Sequence, residues 1–415
     1  MKADIGLSTA AYGLGAGIFF ITYCLFEVPS NMLMYRLGAR FWIARIMLTW
    51  GVISVLMMFV QNETWFYVLR LLLGAAEAGL LPGIVLYLSH WFPAGYRARV
   101  SAGFLVALPI AMVFGSPFST WIIEVGHGAF GLQGWQVMFF VEGLPAVLIG
   151  FYVLAKLPSK PQDARWLSNE EREALTQVLA AEDRESPASA IGGLIAALRE
   201  PRIYILAVIG FCSSFGIYAF SFFLPQLVGD MQASFGIQLS PMQIALLTAI
   251  PFAAAVISML IISRHADRSG RPIGFAAVLL AISGTALICS VFPSSPAIKI
   301  TLLSVVVAAA LPVTPLLYHL PKYFAGGATF AAGAALVSTL ANLSGLAAPA
   351  LTGVLREASG DFNSSLWVMG GLLFAGALLL ILLGRLLRSA KLYRQPASTT
   401  AADTAQGPKT TQLSV

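Results

Sequence analysis

Long apolar segments, separated by short turn-rich connections, make up most of this sequence. Of the 415 residues, 58% are apolar and 11% are charged, and the mean hydropathy is +0.81. About 20 apolar residues in an α-helix cross ~30 Å of hydrocarbon. Transmembrane strands would instead give short alternating segments, and that pattern does not dominate here. We therefore predict an all-α polytopic membrane protein.

Eleven of these segments are predicted to be membrane-spanning helices, five before a polar stretch and six after it. Their approximate bounds are 8–35, 41–60, 65–90, 99–124, 133–157, 202–228, 241–263, 272–292, 297–324, 328–355 and 362–387. The predicted domains are an N-terminal bundle (1–157), a linker (158–201), a C-terminal bundle (202–390) and a disordered cytoplasmic tail (391–415). Within the linker, Ser168 and Glu171 have the spacing of a capping box, which predicts a short amphipathic helix.

Lysine and arginine are concentrated in alternate connections between the segments. By the positive-inside rule these connections are cytoplasmic, which places the C-terminus in the cytoplasm and the N-terminus outside. The net charge of +6 therefore reports membrane topology and does not indicate nucleic-acid binding.

Two ionisable residues lie inside the third segment. Arg70 and Glu77 are seven residues apart, so on one continuous helix they share a face. Such groups are costly in a membrane span and face a bundle interior or an aqueous cavity. Helical side chains lean toward the N-terminus, so Arg70 tilts away from Glu77 and a tight mutual salt bridge is not expected. The pair is either structural, neutralised by neighbouring helices, or a site for an anion and a proton.

A basic, glycine-containing loop occurs twice in the sequence. The first copy includes Arg36, Gly38 and Arg40, and the second includes Asp267, Arg268, Gly270 and Arg271. Two copies six segments apart indicate parallel six-helix repeats, as in transporters whose halves rock about a midplane site. In that register one helix of the second half has no counterpart in the first. The chain is therefore expected to begin one helix late.

Several motifs together resemble the major facilitator superfamily, specifically its anion:cation symporters. They are Gly13-x-Gly15-x-Gly17, Glu27-Val-Pro-Ser-Asn31, the stretch from Arg70 to Glu77, Tyr87-Leu-Ser-His-Trp-Phe-Pro and Glu142-Gly-Leu-Pro145. The resemblance implies a two-bundle fold in a bacterial inner membrane, with the family's first helix missing from this chain. It also implies uptake of organic anions coupled to protons. Tyr35 stands where the family's loop motif has an acidic residue.

The resemblance places Arg70 and Glu77 on the family's substrate-binding and proton-coupling residues of the fourth helix. Arg70 is expected to pair with a substrate carboxylate, because a guanidinium can bind it through two hydrogen bonds. An anion that diverts this positive charge then favours protonation of Glu77. Further candidates either line the cavity or form hydrogen bonds between helices: Tyr23, Tyr218, Gln226, Ser338 and Asn342. For Glu27 and Glu142, gating or helix packing is favoured over substrate contact.

Other interpretations remain open from the sequence. A membrane enzyme is disfavoured, because no catalytic or phosphate-binding motif is found. A channel, a non-transporting sensor and a truncated carrier without coupled transport are alternatives. The sequence also leaves open the substrate (a hydroxy-dicarboxylate such as tartrate, a sugar acid or an aromatic carboxylate) and the choice between proton and sodium. The expected partners are the anion, the proton and the bilayer; we expect a monomer without cofactor, metal or nucleic acid.

Overall fold

The structure of the chain is a computed structural model that describes residues 1, 4–93, 96, 100, 103–104, 106–184, 190–269, 272–292, 295–323 and 327–389. These residues form helices and contain no β-strand. In chain order the α-helices are α1 (Thr9–Leu37), α2 (Ala39–Leu56), α3 (Glu63–Glu77), α4 (Leu80–Ser89), α5 (Ala107–Gly126), α6 (Gly134–Lys156), α7 (Asn169–Arg184), α8 (Ala190–Arg199), α9 (Pro201–Gly229), α10 (Met231–Phe235), α11 (Pro241–Ser269), α12 (Pro272–Cys289), α13 (Pro296–Ala310), α14 (Val313–His319), α15 (Gly327–Asn342), α16 (Ser344–Ser359) and α17 (Asn363–Ser389).

The prediction of eleven membrane spans is confirmed. Within the described residues, 11 helical segments are long and apolar enough to cross a membrane. Several of them begin where a side-chain oxygen accepts a backbone hydrogen bond. Ser8 accepts from the N–H of Ala11, and Asn62 accepts from that of Trp65. Such caps contribute ~1 kcal/mol each by satisfying N–H groups that the helix itself leaves free.

The prediction of one continuous helix over 65–90 is wrong. The first part, α3, ends at Glu77; Ala78 then has ψ 128° and Gly79 has φ 86°, before α4 begins. Glycine adopts this left-handed conformation without the steric penalty of other residues. Ser30 of α1 lies so close that a Cβ added to Gly79 would be 2.6 Å from its Oγ. Glu77 is therefore the last residue of a helix that is interrupted within a membrane span.

The ninth and tenth predicted helices are also divided, but without a left-handed residue. Leu311 and Leu343, at the two junctions, keep right-handed helical φ and ψ. Pro312 follows the first of them and has no backbone N–H to donate. These divisions are local interruptions of the hydrogen-bond ladder.

The C-terminal bundle is packed around one apolar core. Its fully buried side chains include Leu206 and Leu224 of α9, Leu280 of α12, Leu303 of α13 and Leu366 of α17. In the N-terminal bundle, α2 packs along α6 and α1 packs along α3. Because lipid is as apolar as leucine, helices in a membrane associate mainly through close packing and hydrogen bonds.

The two bundles meet along α1 and α16, and along α5 and α11. A Cβ added to Gly13 would lie 2.3 Å from the carbonyl oxygen of Pro349, so the first of these contacts depends on glycine. Beside it, the N–H of Ala10 donates to Glu357 Oε2 at 2.9 Å. The small side of α1 at Gly13 thus permits close packing of the two bundles.

The contacts of α1 with the other bundle continue as far as Cys24, whose Sγ lies 4.0 Å from Thr339 O of α15. Gly17 and Phe20 contact residues of the other bundle. Val28 and Tyr35 continue the same helical stripe toward the C-terminus of α1. These last two side chains are 59% and 75% exposed. Among the described residues, the contacts of α1 with the other bundle therefore lie toward its N-terminal end, and the stripe is exposed beyond them.

The linker contains the predicted amphipathic helix. The N–H of Ser168 donates to Glu171 Oε2 at 2.9 Å and the N–H of Glu171 donates to Ser168 Oγ at 3.2 Å, which confirms the capping box at the start of α7. A second helix, α8, was not predicted; it packs on α15 with Ala197 fully buried. The predicted disordered tail, 391–415, lies outside the described residues.

Candidate functional site

Arg70 is held by the backbone of α1. Its Nε donates to the carbonyl of Gly15 and its Nη2 to that of Ala16, both at 2.9 Å. The guanidinium carbon also lies 5.0 Å from the centre of the Phe19 ring. An arginine has five N–H donors. Those of Nη1 form no hydrogen bond with another described residue, so this nitrogen remains free to bind an anion.

A cavity of about 580 Å³ reaches Arg70. Its lining is mostly apolar and aromatic, and the lining side chains with polar groups are Asp4, Tyr12, Arg70, His127, Gln133 and Trp135. An anion that enters it would meet the guanidinium in apolar surroundings, where charge pairing is stronger than in water. The cavity is therefore the candidate substrate site.

Asp4 lies at this cavity, before the first membrane span. Its carboxylate accepts a hydrogen bond from Trp135 Nε1 at 2.8 Å and pairs with the Met1 amino group at 2.9 Å. The amino group and then the indole N–H hold the pKa of Asp4 below its usual value, because both stabilise the charged form. Asp4 is thus a negative group at the cavity that contains Arg70.

Glu77 is half-buried at the end of α3. It lies within electrostatic range of Arg70, but the ion pairs of the described residues include neither side chain. This agrees with the expectation that the lean of helical side chains keeps the two apart. A carboxyl that is close to a cation without being locked to it can gain or lose a proton when that cation is neutralised.

Polar side chains of α1 and α2 surround the interruption that follows Glu77. Arg45 donates to the carbonyl of Ala76 at 3.2 Å, and its guanidinium lies 4.1 Å from the centre of the Trp42 ring. Trp42 in turn donates to Ser30 Oγ at 2.9 Å. Arg45 thus satisfies one of the carbonyl groups left free where α3 ends.

Two of the weaker candidates from the sequence contact each other. The hydroxyl of Tyr218 on α9 donates to Asn342 Oδ1 on α15 at 2.9 Å, and the Tyr218 ring packs edge-on against Phe20 of α1. Tyr23 stacks on Phe19 instead. The remaining two candidates are half-buried on α9 and α15: Gln226 and Ser338.

The first copy of the loop motif joins α1 to α2. Gly38 has φ 87°, and Arg40 donates through Nε to Leu154 O at 2.5 Å and through Nη2 to Ala155 O at 3.4 Å. These carbonyls belong to the last turn of α6, where the helix dipole favours a cation. Arg36 is exposed in the last turn of α1. In the second copy, Gly270 and Arg271 and the side chains of Asp267 and Arg268 lie outside the described residues.

The two other membrane carboxyls have different surroundings. Glu142 is exposed on α6 and accepts a hydrogen bond from Ser119 Oγ of α5 at 2.5 Å, which fits the predicted packing role. Glu27 is 8% exposed in the middle of α1. No sequence pattern indicates that α1 carbonyls hold Arg70. The sequence did contain a signal for the break, because Gly79 followed by Pro82 is typical of one helix ending and another beginning.

Comparison with known proteins gives matches over nearly the whole chain. The family model described as Major Facilitator Superfamily matches residues 1–325 and again residues 206–411. A protein from Agrobacterium vitis, provisionally named tartrate transporter, is 41% identical over 390 residues, covering 93% of this chain and 84% of the relative. A quinolone resistance transporter from Acinetobacter baumannii is 35% identical over 399 residues, covering 96% and 89%.

Solved structures share the fold at low sequence identity. The xylose transporter XylE from E. coli, in a partially occluded inward-open conformation, superposes with a TM-score of 0.68 at 17% identity. The match covers 90% of this chain and 87% of XylE. At this identity the similarity establishes the arrangement of helices and nothing about the substrate.

Proposed function

Because this chain belongs to the major facilitator superfamily, we propose that it is a secondary active transporter that takes up a small organic anion together with protons. It is a multi-pass membrane protein with bacterial relatives. We place it in the inner membrane with its C-terminus in the cytoplasm, because lysine and arginine are concentrated in the connections on that side.

The position of Arg70 carries the proposal. Its guanidinium is oriented by the carbonyls of Gly15 and Ala16 and lines the cavity, while Nη1 remains available to an anion. An orientation that is fixed before binding reduces the entropy that binding must overcome. A carboxylate is the anion that the geometry of a guanidinium fits best.

Glu77 supplies the coupling to protons in this proposal. A carboxylate bound to Arg70 neutralises the cation that favours the charged form of Glu77, so anion binding and proton binding strengthen each other. The bundles then rock about the site.

The substrate class rests on two observations that favour different anions. The relative from Agrobacterium vitis is named for tartrate, which favours a hydroxy-dicarboxylate or sugar acid. The cavity is lined by several aromatic rings, which favours an aromatic carboxylate: Tyr12, Phe66, Trp135, Phe139 and Phe222. Competition among tartrate, a sugar acid and an aromatic carboxylate for the same uptake distinguishes the two.

The experiment is uptake into proteoliposomes that contain the purified chain. We expect accumulation of at least one of these anions when the outside is acidified, and its loss when a protonophore is added. Glu77→Gln should abolish accumulation driven by the proton gradient while anion exchange across the membrane continues. The matched control is Glu63→Gln, an exposed carboxylate in the first turn of the same helix.

Acid-stimulated accumulation that is unchanged in Glu77→Gln would exclude this residue as the proton carrier. Flux that does not saturate with anion concentration would indicate a channel. Absence of uptake and of exchange for all three classes would contradict the proposed anion transport.

A further inference from the structure

Glu27 is a buried carboxyl that the mechanism above does not use. It lies in the middle of α1 and is 8% exposed, and its Oε2 has no hydrogen-bond partner among the described residues. Asn31, one helical turn later, donates from Nδ2 to the backbone carbonyl of Glu27 at 2.8 Å. Its Oδ1 is likewise buried without a described partner. Two buried acceptor oxygens, one helical turn apart on α1, therefore lack a described donor.

The contacts of α1 place Glu27 at the interruption between α3 and α4. Before it, the carbonyl of Phe19 lies against Gly74 of α3. After it, Ser30 lies against Gly79. On an α-helix, positions 19, 23, 27 and 30 form one stripe. Glu27 therefore faces the last turn of α3 and the Ala78–Gly79 break.

Among the described residues, no ion pair compensates a negative charge on Glu27. Among the described groups packed nearby, α2 contributes Arg45, which is bound to the Ala76 carbonyl and the Trp42 ring. The end of α3 contributes another carboxyl, that of Glu77. The α1 helix itself contributes Tyr23 and Cys24, which are neutral near pH 7 when unperturbed.

In the part of the chain that the structure describes, the other elements near Glu27 add no positive charge. The first turn of α4 (residues 80–83) has no titratable side chain, and α9 contributes Tyr218 through its interaction with Tyr23. An unpaired buried carboxylate is strongly destabilising. A proton removes that charge and supplies the donor that both orphan oxygens lack.

We propose that Glu27 is a second proton-binding site, separate from Glu77. When protonated, its carboxyl O–H donates to Asn31 Oδ1, the neighbouring acceptor one turn along α1. Loss of the proton leaves a carboxylate facing the helix break, which is followed by the N-terminus of α4. Proton binding therefore shifts the equilibrium between two packing arrangements of α1 against α3 and α4. The ligand of this site is H⁺, and the site is built by α1 at the break in the third span.

The consequence for transport rests on the proposed function. With two carboxyls that exchange protons, each anion is accompanied by more than one proton. For a dicarboxylate such as tartrate, two protons neutralise the two negative charges that cross the membrane.

The first test measures proton binding without any substrate. The full-length chain is treated with a hydrophobic carbodiimide, which modifies protonated carboxyl groups in apolar surroundings, and peptide mass mapping reports the modified fraction of Glu27. We expect modification at acidic pH and its loss at alkaline pH, with no effect of sodium. Absence of modification at every pH overturns the proposal, and protection by sodium at constant pH overturns it by assigning the site to a metal cation.

The second test measures protons per anion in proteoliposomes. Glu27→Gln, which mimics the protonated form, should transport with one proton fewer per anion than the wild type, whereas Glu63→Gln should not differ from it. An unchanged ratio in Glu27→Gln contradicts the proposal. If this variant does not fold, the carbodiimide measurement on the wild type decides. If no tested anion is transported, the proposed function fails while proton binding by Glu27 is still decided.

Discussion

Arg45 donates a hydrogen bond of 3.2 Å to the carbonyl oxygen of Ala76, one residue before α3 ends. This contact joins α2 to the interruption of the third span. The same guanidinium packs on Trp42, which donates to Ser30 beside Gly79. In a membrane, irregular backbone persists only where protein or water satisfies its polar groups. The break is therefore supported by its neighbours on both sides.

The first prediction concerns the left-handed residue at this break. Gly79→Ala should destabilise the chain by about 1–3 kcal/mol, because φ 86° is strained for alanine and its Cβ would collide with Ser30. Thermal unfolding in detergent measures the loss. The control is Gly371→Ala in α17, where an added Cβ meets nothing within 4 Å. Equal melting temperatures for the two variants would show that Gly79 is not constrained.

The second prediction concerns the candidate carboxylate site. Arg70→Lys should weaken anion binding about tenfold or more, which is ~1.4 kcal/mol, because an ammonium lacks the planar fork of a guanidinium. It also cannot reproduce the paired contacts with Gly15 and Ala16. Equilibrium binding of the transported anion measures the effect. Arg36→Lys, at an exposed position of α1, should bind normally. Unchanged affinity in Arg70→Lys would remove the carboxylate contact from the mechanism.

The third prediction concerns the contact between the bundles. Gly13→Ala should force α1 and α16 apart, because its Cβ would lie 2.3 Å from Pro349 O. Disulfide cross-linking between Ala10→Cys and Glu357→Cys, in a background without other cysteines, should then decrease. The same change at Gly216, where nothing lies within 4 Å of an added Cβ, should leave cross-linking intact. Full cross-linking in Gly13→Ala would mean that the helices tolerate the extra volume.

The fourth prediction separates packing from substrate contact at Tyr218. Removal of its hydroxyl in Tyr218→Phe takes a hydrogen bond from Asn342 and should cost ~1 kcal/mol of stability. We expect a lower melting temperature and nearly unchanged anion affinity. Tyr152→Phe, at an exposed position, is the control for loss of a hydroxyl. Weaker binding with an unchanged melting temperature would instead make Tyr218 a substrate contact.

Some predictions from the sequence depended only on local chemistry, and these agree with the structure. The spans follow from apolar length, and the capping box of Ser168 and Glu171 forms as its spacing indicates. The roles of Arg70 and Glu77 stay predictions, although their separation without a direct ion pair agrees with the lean of helical side chains.

The sequence by itself determined that this chain crosses a membrane as helices, because the length and composition of apolar segments decide that without reference to their neighbours. It also determined where charge enters the third span. Only the tertiary structure decided which groups meet that charge. Backbone carbonyls carry no sequence signature, so the contacts of Arg70 with α1 became visible only once α1 and α3 were packed together. The burial of Glu27 at the helix break depends on the same packing.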